Sequence, residues 1–565
     1  MATVAGCGGG DSGTGGNGGG ATTTTSASTG GAGGTGGAPV TSAYDPNHVI
    51  EVAVTMDPTD WEKLRSEAND LDAVLGGDCL AGPKQSVYSY YPASVTVDGQ
   101  AFSKVDVRKK GFIGSLSYGR PSLKVKLDAY DSAASYLGTN KLTLNNMKQD
   151  GARIRTCLAL EMFQEAGVPA SRCSFAHVTV NGEDLGIYDN IEGIDGAELA
   201  DRFPDGSGNL YEGVMSDFRP DWEDTYQKKT NTADPDRSDL SALTTALQAS
   251  DADLLAQVQP LLDVDAFLSF WATESIIELW DGYSNGQNNH LVYHEPTSGK
   301  FYFLPWGPDA TFGSGGGTPP PGAPISVYGL AELPRRLYGL PAVREQYLAR
   351  LLQLNDKLFQ SGLALSEVDR MDKLLAPYAK DSTWEDEVAQ IRQWVTDRPA
   401  AVQAEVAAGP VDYAFPQGPY PCVAKIGTVT GSFTTKMGTL AKNNPIGTGT
   451  GTLHLDVNGM AVDAQTVGAA AGLSSAQPTL LVMGILPGGK IQILVFLIDP
   501  VRFESGDLPF DLQMAFGVYG QPGPNDDFQQ LGLLDKGTLH LEKAGSNDKD
   551  EVVGTFTTDI YSIAL

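Results

Sequence analysis

Alternation of apolar and polar positions dominates the chain up to about residue 192. HVIEVAVTM (48–56) is rich in β-branched residues and predicts a strand. YPASVTVDGQAFSKVDVRKKG (91–111) alternates on both sides of Asp98-Gly99, the pattern of a hairpin. PSLKVKLD (121–128) sets Leu123, Val125 and Leu127 on one face and Lys124 and Lys126 on the other. KLTLNN (141–146) extends the β region, and SFAHVTVNGEDLGIYDNIE (174–192) predicts a second hairpin across Asn181-Gly182. Between these strands the period changes to that of helices. DPTDWEKLRSEA offers Asp57 as cap and Pro58 in the first turn. DGARIRTCLALEMFQEAG (150–167) places Ile154, Leu158 and Met162 one turn apart, with Gly167 ending the helix.

From about 236 to 280 the pattern is helical, then NNHLVYHE and KFYFLPW form a hairpin around PTSG, and 331–408 is helical again. PVDYAFPQGPYP (410–421) has the prolines of a linker. The remainder, 422–565, consists of short β runs with Gly and Thr. VTGSFTT (429–435) is echoed by VVGTFTT (552–558), and GTLHLDVNG (451–459) by GTLHLEKAG (537–545). Paired strands of one β-sandwich would account for that echo. TLLVMGILPGGKIQILVFLIDP (479–500) is two short apolar runs split by PGGK, a hairpin rather than a membrane span.

Length and charge then narrow the picture. A chain of 565 residues needs more than one core. We divide it into an N-terminus with tether (1–45), a central domain (46–409) and a β-rich domain (422–565). The formal charge of −30 opposes binding to nucleic acid or to an anionic membrane. VAGC (4–7) looks like a bacterial lipobox with Cys7 as the lipidated residue, although only MAT precedes it where an apolar stretch is expected. Residues 8–42, almost wholly Gly, Thr, Ser and Ala, read as a tether reaching on the order of 30 Å. Cys79, Cys157, Cys173 and Cys422 suit an exported protein, and their three possible pairings stay open.

Chemistry concentrates in LWDGYSNGQNNHLVYHEPTSGKFYFLPWGPDATFG (279–313). An acid in a polar loop (Asp281), an amide entering a strand (Asn289) and an acid after the next strand (Asp309) form the set that phosphoryl transfer uses. One carboxylate accepts the proton of the attacking hydroxyl, while the amide oxygen and the other carboxylate hold Mg²⁺ or Mn²⁺. His290 and His294, four apart, share a strand face, but no third ligand stands near enough in sequence to make zinc a good reading. His454 and His540 sit in the echo strands and read as ordinary face residues.

Several separated blocks, in order, resemble the CotH kinase family of spore-coat-protein-H-like atypical protein kinases. They are VDVRKKG, SLKVKLD, KLTLNNMKQDGARIRTCLALEMFQEAGVPASR, VTVNGEDLGIYDNIEGID, NLYEG and WDG…NNHLVY…GKFYFLPWGPDATFG. The resemblance implies an α+β, two-lobed kinase-like fold followed by a β-sandwich-like domain. It also implies ATP in the cleft and transfer of its γ-phosphoryl group to protein hydroxyls outside the cytoplasm, with a surface protein or the chain itself as substrate. Asp281 then matches the catalytic aspartate and Asn289 the metal-binding asparagine, while Asp309, the second aspartate of the metal-binding segment, is kept as the remaining candidate ligand. Two departures stand out. Gly307 replaces the first aspartate of the family's metal-binding segment, which leaves enzyme against pseudokinase open. Pro121 stands where some members have lysine, so the phosphate-side cation falls to Arg120, Lys124 or Lys126. Glu192 and Arg155 lie at matching positions, where a structural ion pair is the plainer account. Glu161 could pair with a cleft lysine, and Gly111, Gly114 and Gly119 make the intervening loop permissive for close approach to phosphate.

Two other classes remain beside the kinase. One is a surface-binding or adhesion module without catalysis. The other gives the C-terminal domain a carbohydrate- or wall-anchoring role, although no aromatic platform stands out there.

Overall fold

The computed structural model describes residues 40–82, 87–315, 320–378, 382–409, 412–440, 445–474, 477–523 and 528–562. Cys7 and most of the tether lie outside the described residues. Seven strands open the fold: β1 (Val49–Met56), β2 (Tyr91–Val97), β3 (Gln100–Lys110), β4 (Ser122–Lys126), β5 (Lys141–Asn145), β6 (Cys173–Val180) and β7 (Glu183–Ile191). They close into a barrel in the order β1-β2-β3-β4-β5-β7-β6, shut by a parallel pairing of β1 with β6 that sets Val52 opposite Val178. Both hairpins predicted within the barrel strands are present. Asp98 (φ 46°) with Gly99 and Asn181 (φ 52°) with Gly182 adopt the positive φ that two-residue turns require. The inward residues Val52, Val54, Val95, Val107, Leu123, Val125, Leu144 and Val178 fill the barrel.

The helix Pro58–Ser66 starts where expected, with the Asp57 carboxylate accepting from Thr59 N at 2.8 Å. The helix Arg155–Glu165 starts later than its pattern suggests. Asp150 accepts from Arg155 N at 2.7 Å and pairs with the Arg155 guanidinium at 2.8 Å, so the preceding loop, not a first turn, fills 150–154. Four further strands form a second antiparallel sheet: β8 (Asn209–Gly213), β9 (Gln227–Lys228), β10 (His290–Glu295) and β11 (Lys300–Pro305), ordered β11-β10-β8-β9. The buried helix Val264–Ile276 packs behind β11 within one large core shared with the helices after residue 331.

Beyond the linker, residues 425–562 form a ten-stranded antiparallel sheet. The echoed segments are neighbours in it. Gly431 faces Phe556 and Phe433 faces Gly554, and each Phe ring occupies the space a Cβ on the glycine would need. The sheet curls back on itself, with Ala464 N donating to Leu453 O (2.9 Å) and Thr435 Oγ1 to Ala469 O (2.9 Å), around a core of Leu453, Leu480, Phe496, Leu539 and Phe556.

The expected α+β, two-lobed fold followed by a β-sandwich is therefore corrected. The chain is mostly β: a closed seven-stranded barrel replaces an open lobe, and one curled sheet replaces two stacked ones. Alternation fixes which side of a strand is buried, whereas closure depends on the β1–β6 contact between segments over a hundred residues apart. Two disulfides settle the cysteine pairing: Cys79–Cys422 joins the barrel region to the start of the C-terminal sheet, and Cys157–Cys173 joins the helix Arg155–Glu165 to β6.

Candidate active site

A cleft of about 230 Å³ opens between the barrel and the β8–β11 sheet. One wall comes from outward positions of barrel strands. In β3 the core side takes Val105, Val107 and Lys109, so Arg108 and Lys110 face the cleft, with Lys124 beside them on β4. Lys110 Nζ donates to Asn145 Oδ1 on β5, and its ammonium lies 5.9 Å from the Trp306 ring. The Lys124 side chain makes no hydrogen bond or ion pair among the described residues. Burial pushes the Lys110 ammonium down to about 8 and that of Lys124 to about 7. Glu212 opposes both shifts, and neighbouring cations reinforce them. Burial alone would raise Glu212, yet Lys229, at 2.7 Å, with Lys124 and Lys110 holds it below the ordinary carboxylate range.

The other wall carries the acids. The helix Val264–Ile276 ends in a loop that folds back because the Glu274 carboxylate accepts from Tyr283 N (2.8 Å) and Ser284 N (2.9 Å). That bend presents Asp281, which accepts from Asn289 Nδ2 at 2.9 Å and from Asn288 Nδ2 at 3.3 Å. Asn289 is held at φ 47° on the approach to β10, and its carbonyl accepts from Trp306 N at 3.1 Å, which brings the exit of β11 alongside. Gly307 follows at φ +56°, where a Cβ would meet Asn289 Oδ1 at 3.5 Å. Asp309 lines the same wall. Burial, then the charges of Asp281 and Asp150, pushes the Asp309 carboxyl up to about 7. Burial also raises Asp281 against the pull of the two amides. Asp189, on β7 and 1% exposed, completes the group. Burial and the Asp150 charge lift it well above its usual value.

The structure thus gathers Asp281, Asn289, Asp309 and Lys124 in one cleft. It places the other three named residues elsewhere. Arg120 donates to Ile187 O and stacks on the Tyr188 ring at 4.9 Å, inside the fold. Lys126 points past the cleft to the Tyr90 ring, 4.7 Å away. Glu192 is 1% exposed and bound by Arg172 and Arg202, as a structural ion pair. Arg155 is likewise paired, with Asp150 and Glu387. Glu161 is half-buried, with its carboxyl raised by burial and then by Glu367, and does not line the cleft. His290 packs edge-on against Tyr226 while His294 pairs with Asp239 at 3.4 Å, so neither is held for zinc.

Sequence reasoning missed Lys110, Asp189 and Glu212. Period two within VRKKG separates Lys110 from Lys109, and that signal could have singled out Lys110. Asp189 and Glu212 carry no local mark, because only the meeting of β7, β8 and the 281–309 segment brings them together. Among the described residues the one tight group of metal-ligating side chains is Cys157, Cys173 and Asp189, and its sulfurs are joined in the disulfide.

Hard oxygen donors on one wall and ammonium groups on the other suit a divalent cation carrying phosphate. Among the described residues, Lys110 opposes the rise at Asp309 without returning its carboxyl to the ordinary range.

Residues 107–402 match the family described as CotH kinase protein. The chain is 26% identical over 265 residues to the Inner spore coat protein H of Bacillus subtilis (strain 168), covering 44% of this chain and 72% of that protein. It is 26% identical over 280 residues to Invasin CotH3 of Rhizopus delemar, covering 44% and 45%, and 27% identical over 191 residues to Invasin CotH2 of the same organism, covering 31% and 32%. The chain therefore spans less than half the length of either invasin. The matched segment begins inside β3 and ends in the helix Ser382–Ala407, leaving β1, β2 and the C-terminal sheet outside it. Because that segment is more than half of its length, the chain belongs to the CotH kinase family.

Proposed function

We propose that this protein is an ATP-dependent phosphotransferase acting on protein hydroxyls outside the cytoplasm. The observation that carries the reading is the convergence of Asp281, Asn289 and Asp309 opposite Lys110 and Lys124 in one cleft. Mg²⁺ or Mn²⁺, bound there, would neutralise phosphate charge. Asn289 Oδ1 and the Asp309 carboxylate are the atoms to hold it, with Asp189 behind them. Lys110 and Lys124 would bind the phosphate oxygens. Asp281, positioned by two amides, would take the proton of the attacking serine or threonine. The enclosed volume is below the roughly 300–1,000 Å³ of whole-ligand pockets, so it suits the phosphates and the ion, leaving the nucleoside nearer the open rim. Two disulfides support an oxidising compartment, and Cys7 would supply a lipid anchor at the cell surface.

Transfer of labelled γ-phosphate by the native, Asp281→Ala and Asp309→Ala proteins with Mn²⁺ tests this reading. Loss in both variants, with folding retained, is expected. Absence of any nucleotide-dependent rise in melting temperature at millimolar Mn-ATP would refute it. Gly307 favours a second reading, a binding or adhesion module without catalysis. That reading requires metal and nucleotide binding to be absent from the native chain.

A further inference from the structure

The loop GFIGSLSYGR (111–120), followed by Pro121, connects β3 to β4, and one side of it lines the cleft through Gly111, Phe112, Ile113 and Ser115. Its other side is built into the C-terminal sheet. Asp499, 2% exposed at the end of the strand Ile491–Ile498, turns Oδ2 towards the loop and accepts from Ser117 Oγ (3.0 Å), Tyr118 N (3.1 Å) and Gly119 N (3.3 Å). Its Oδ1 accepts from Val501 N at 3.1 Å, fixing the carboxylate plane. A Cβ on Gly119 would lie 2.6 Å from Val501 Cγ2, so the two segments touch backbone to side chain. Leu116, fully buried, packs with Leu512, Leu533 and Val423 of the C-terminal part, and Phe112 and Ile113 lie against the same cluster. Just before the loop, Lys109 Nζ binds the carbonyls of Arg65 and Glu67 (2.7 Å each) and Gln513 Oε1.

A glycine-bearing loop over a phosphate site is ordinarily free to move. Here three donors on successive residues converge on one buried carboxylate from another domain, and leaving such donors unpaired costs more than the bonds themselves return. We propose that the C-terminal β domain braces the outer wall of the nucleotide site from behind. Through Asp499, a positioning residue, it holds loop 111–120 over the cleft, so that domain docking and ligand binding are coupled. This coupling rests on the reading of the cleft as a nucleotide site. The linkage is reciprocal: ligand in the cleft strengthens the docking as docking strengthens the ligand.

Amide hydrogen exchange on the full chain tests the holding directly, and calorimetric binding of Mn-ATP tests the coupling. In Asp499→Ala, the amides of Tyr118 and Gly119 should exchange at least tenfold faster, and Mn-ATP should bind about tenfold more weakly. Asp499→Asn, which keeps an acceptor oxygen, should recover part of both. If Asp499→Ala disturbs the β domain itself, Gly119→Ala pushes the same contact apart from the loop side and should show the same pair of effects. Unchanged exchange at Tyr118 and Gly119 in both variants overturns the proposal. So does faster exchange without loss of affinity. A native chain that binds no Mn-ATP overturns the functional reading and the coupling with it, while the exchange data still decide whether Asp499 holds the loop.

Discussion

Gly307→Asp places a carboxylate at the one position where this chain departs most from its family's metal-binding pattern. A Cβ there meets only ordinary contact with Asn289, so the side chain has room. The backbone at φ +56° is a left-handed conformation, costing a non-glycine residue about 1 kcal/mol, with aspartate among the more tolerant. The new charge would face Asp281 and Asp309. At a separation of roughly 6 Å and an effective dielectric of about 20, each repulsion is worth about 3 kcal/mol, an upper bound because the carboxyl can remain protonated. In chelator the variant should therefore be less stable than the native protein by a few kcal/mol. With saturating Mn²⁺ the same carboxylate becomes a ligand. A tenfold tightening of metal binding returns about 1.4 kcal/mol. Scanning calorimetry in chelator and in Mn²⁺ measures the difference, with Gly307→Ala isolating the backbone cost and Gly307→Asn the bulk. Equal destabilisation with and without Mn²⁺, or identical behaviour of the Ala and Asp variants, would refute the assignment of this wall to a metal.

Lys124→Ala should weaken Mn-ATP binding at least tenfold by calorimetry while Lys126→Ala leaves it unchanged, because one ammonium lines the cleft and the other sits on Tyr90; equal effects would remove the distinction. Replacing both Cys79 and Cys422 by Ser should expose the linker around 412–424 to limited proteolysis, since the bridge closes a loop 343 residues long, worth roughly 6 kcal/mol in chain entropy; unchanged cleavage would show that packing alone holds the sheet. Stability should rise as pH falls from 7 to about 5. Burial and the Asp70 charge raise Asp535 to about 7, Asp511 adds to this, and the bond from Leu71 N opposes it; burial raises Glu274 to about 7. For both, the folded value exceeds the unfolded one. Their contribution is complete near pH 4 and lost as pH climbs through 7, at about 1.4 kcal/mol per unit for each group. Lys109, pushed down to about 7 by burial, adds no slope below that pH, so a melting temperature that falls on acidification to pH 5 would contradict the account. Finally, association of Mn-ATP should be faster at 0.15 M than at 0.01 M salt, because a field from a net charge of −30 repels the nucleotide at long range and is screened within about 8 Å at the higher salt; stopped-flow rates that fall with salt would mean the local lysines dominate.

Much of the secondary structure was legible because it rests on local chemistry. Asp98-Gly99 and Asn181-Gly182 force tight turns, and the Asp57-Pro58 start needs only its own neighbours. The two faces of β4 follow from alternation, which is why Lys124 could be named. Alternation does not say what lies opposite a face, and so it grouped Lys126 with Lys124 although only one of them meets the cleft. Arg120 lies away from the cleft for a similar reason: its guanidinium turns inward to Ile187 O and Tyr188, a choice made by tertiary packing. Barrel closure, the disulfide pairing and the contribution of Asp189 all depend on contacts between segments far apart in sequence. The echo in the C-terminal domain was visible as letters. Its meaning, reciprocal filling of a glycine by the facing phenylalanine, needed the register of the two strands.

The absence of a carboxylate at 307 does not by itself empty the cleft of metal-binding capacity. Asp309 remains on the same wall, two residues on, and its upward shift comes first from burial and then from the charges of Asp281 and Asp150. Asp189 approaches from β7, with its own upward shift owed in part to Asp150 and Asp309, so the acids sense one another across three separate elements. A pseudokinase that had abandoned the ion would gain stability by dispersing these charges, since carboxylates raised by burial and, at Asp309 and Asp189, by one another oppose folding at neutral pH. The chain instead keeps them in the wall around Asn289, Asp189 fully buried and Asp281 and Asp309 half-buried, with Lys110 and Lys124 held facing them at the energetic cost of their own desolvation. An arrangement in which both signs are strained in opposite directions is relieved most directly by a ligand that carries both, a divalent cation bound to phosphate. On that ground the catalytic reading is favoured over the adhesive one, even with glycine at 307.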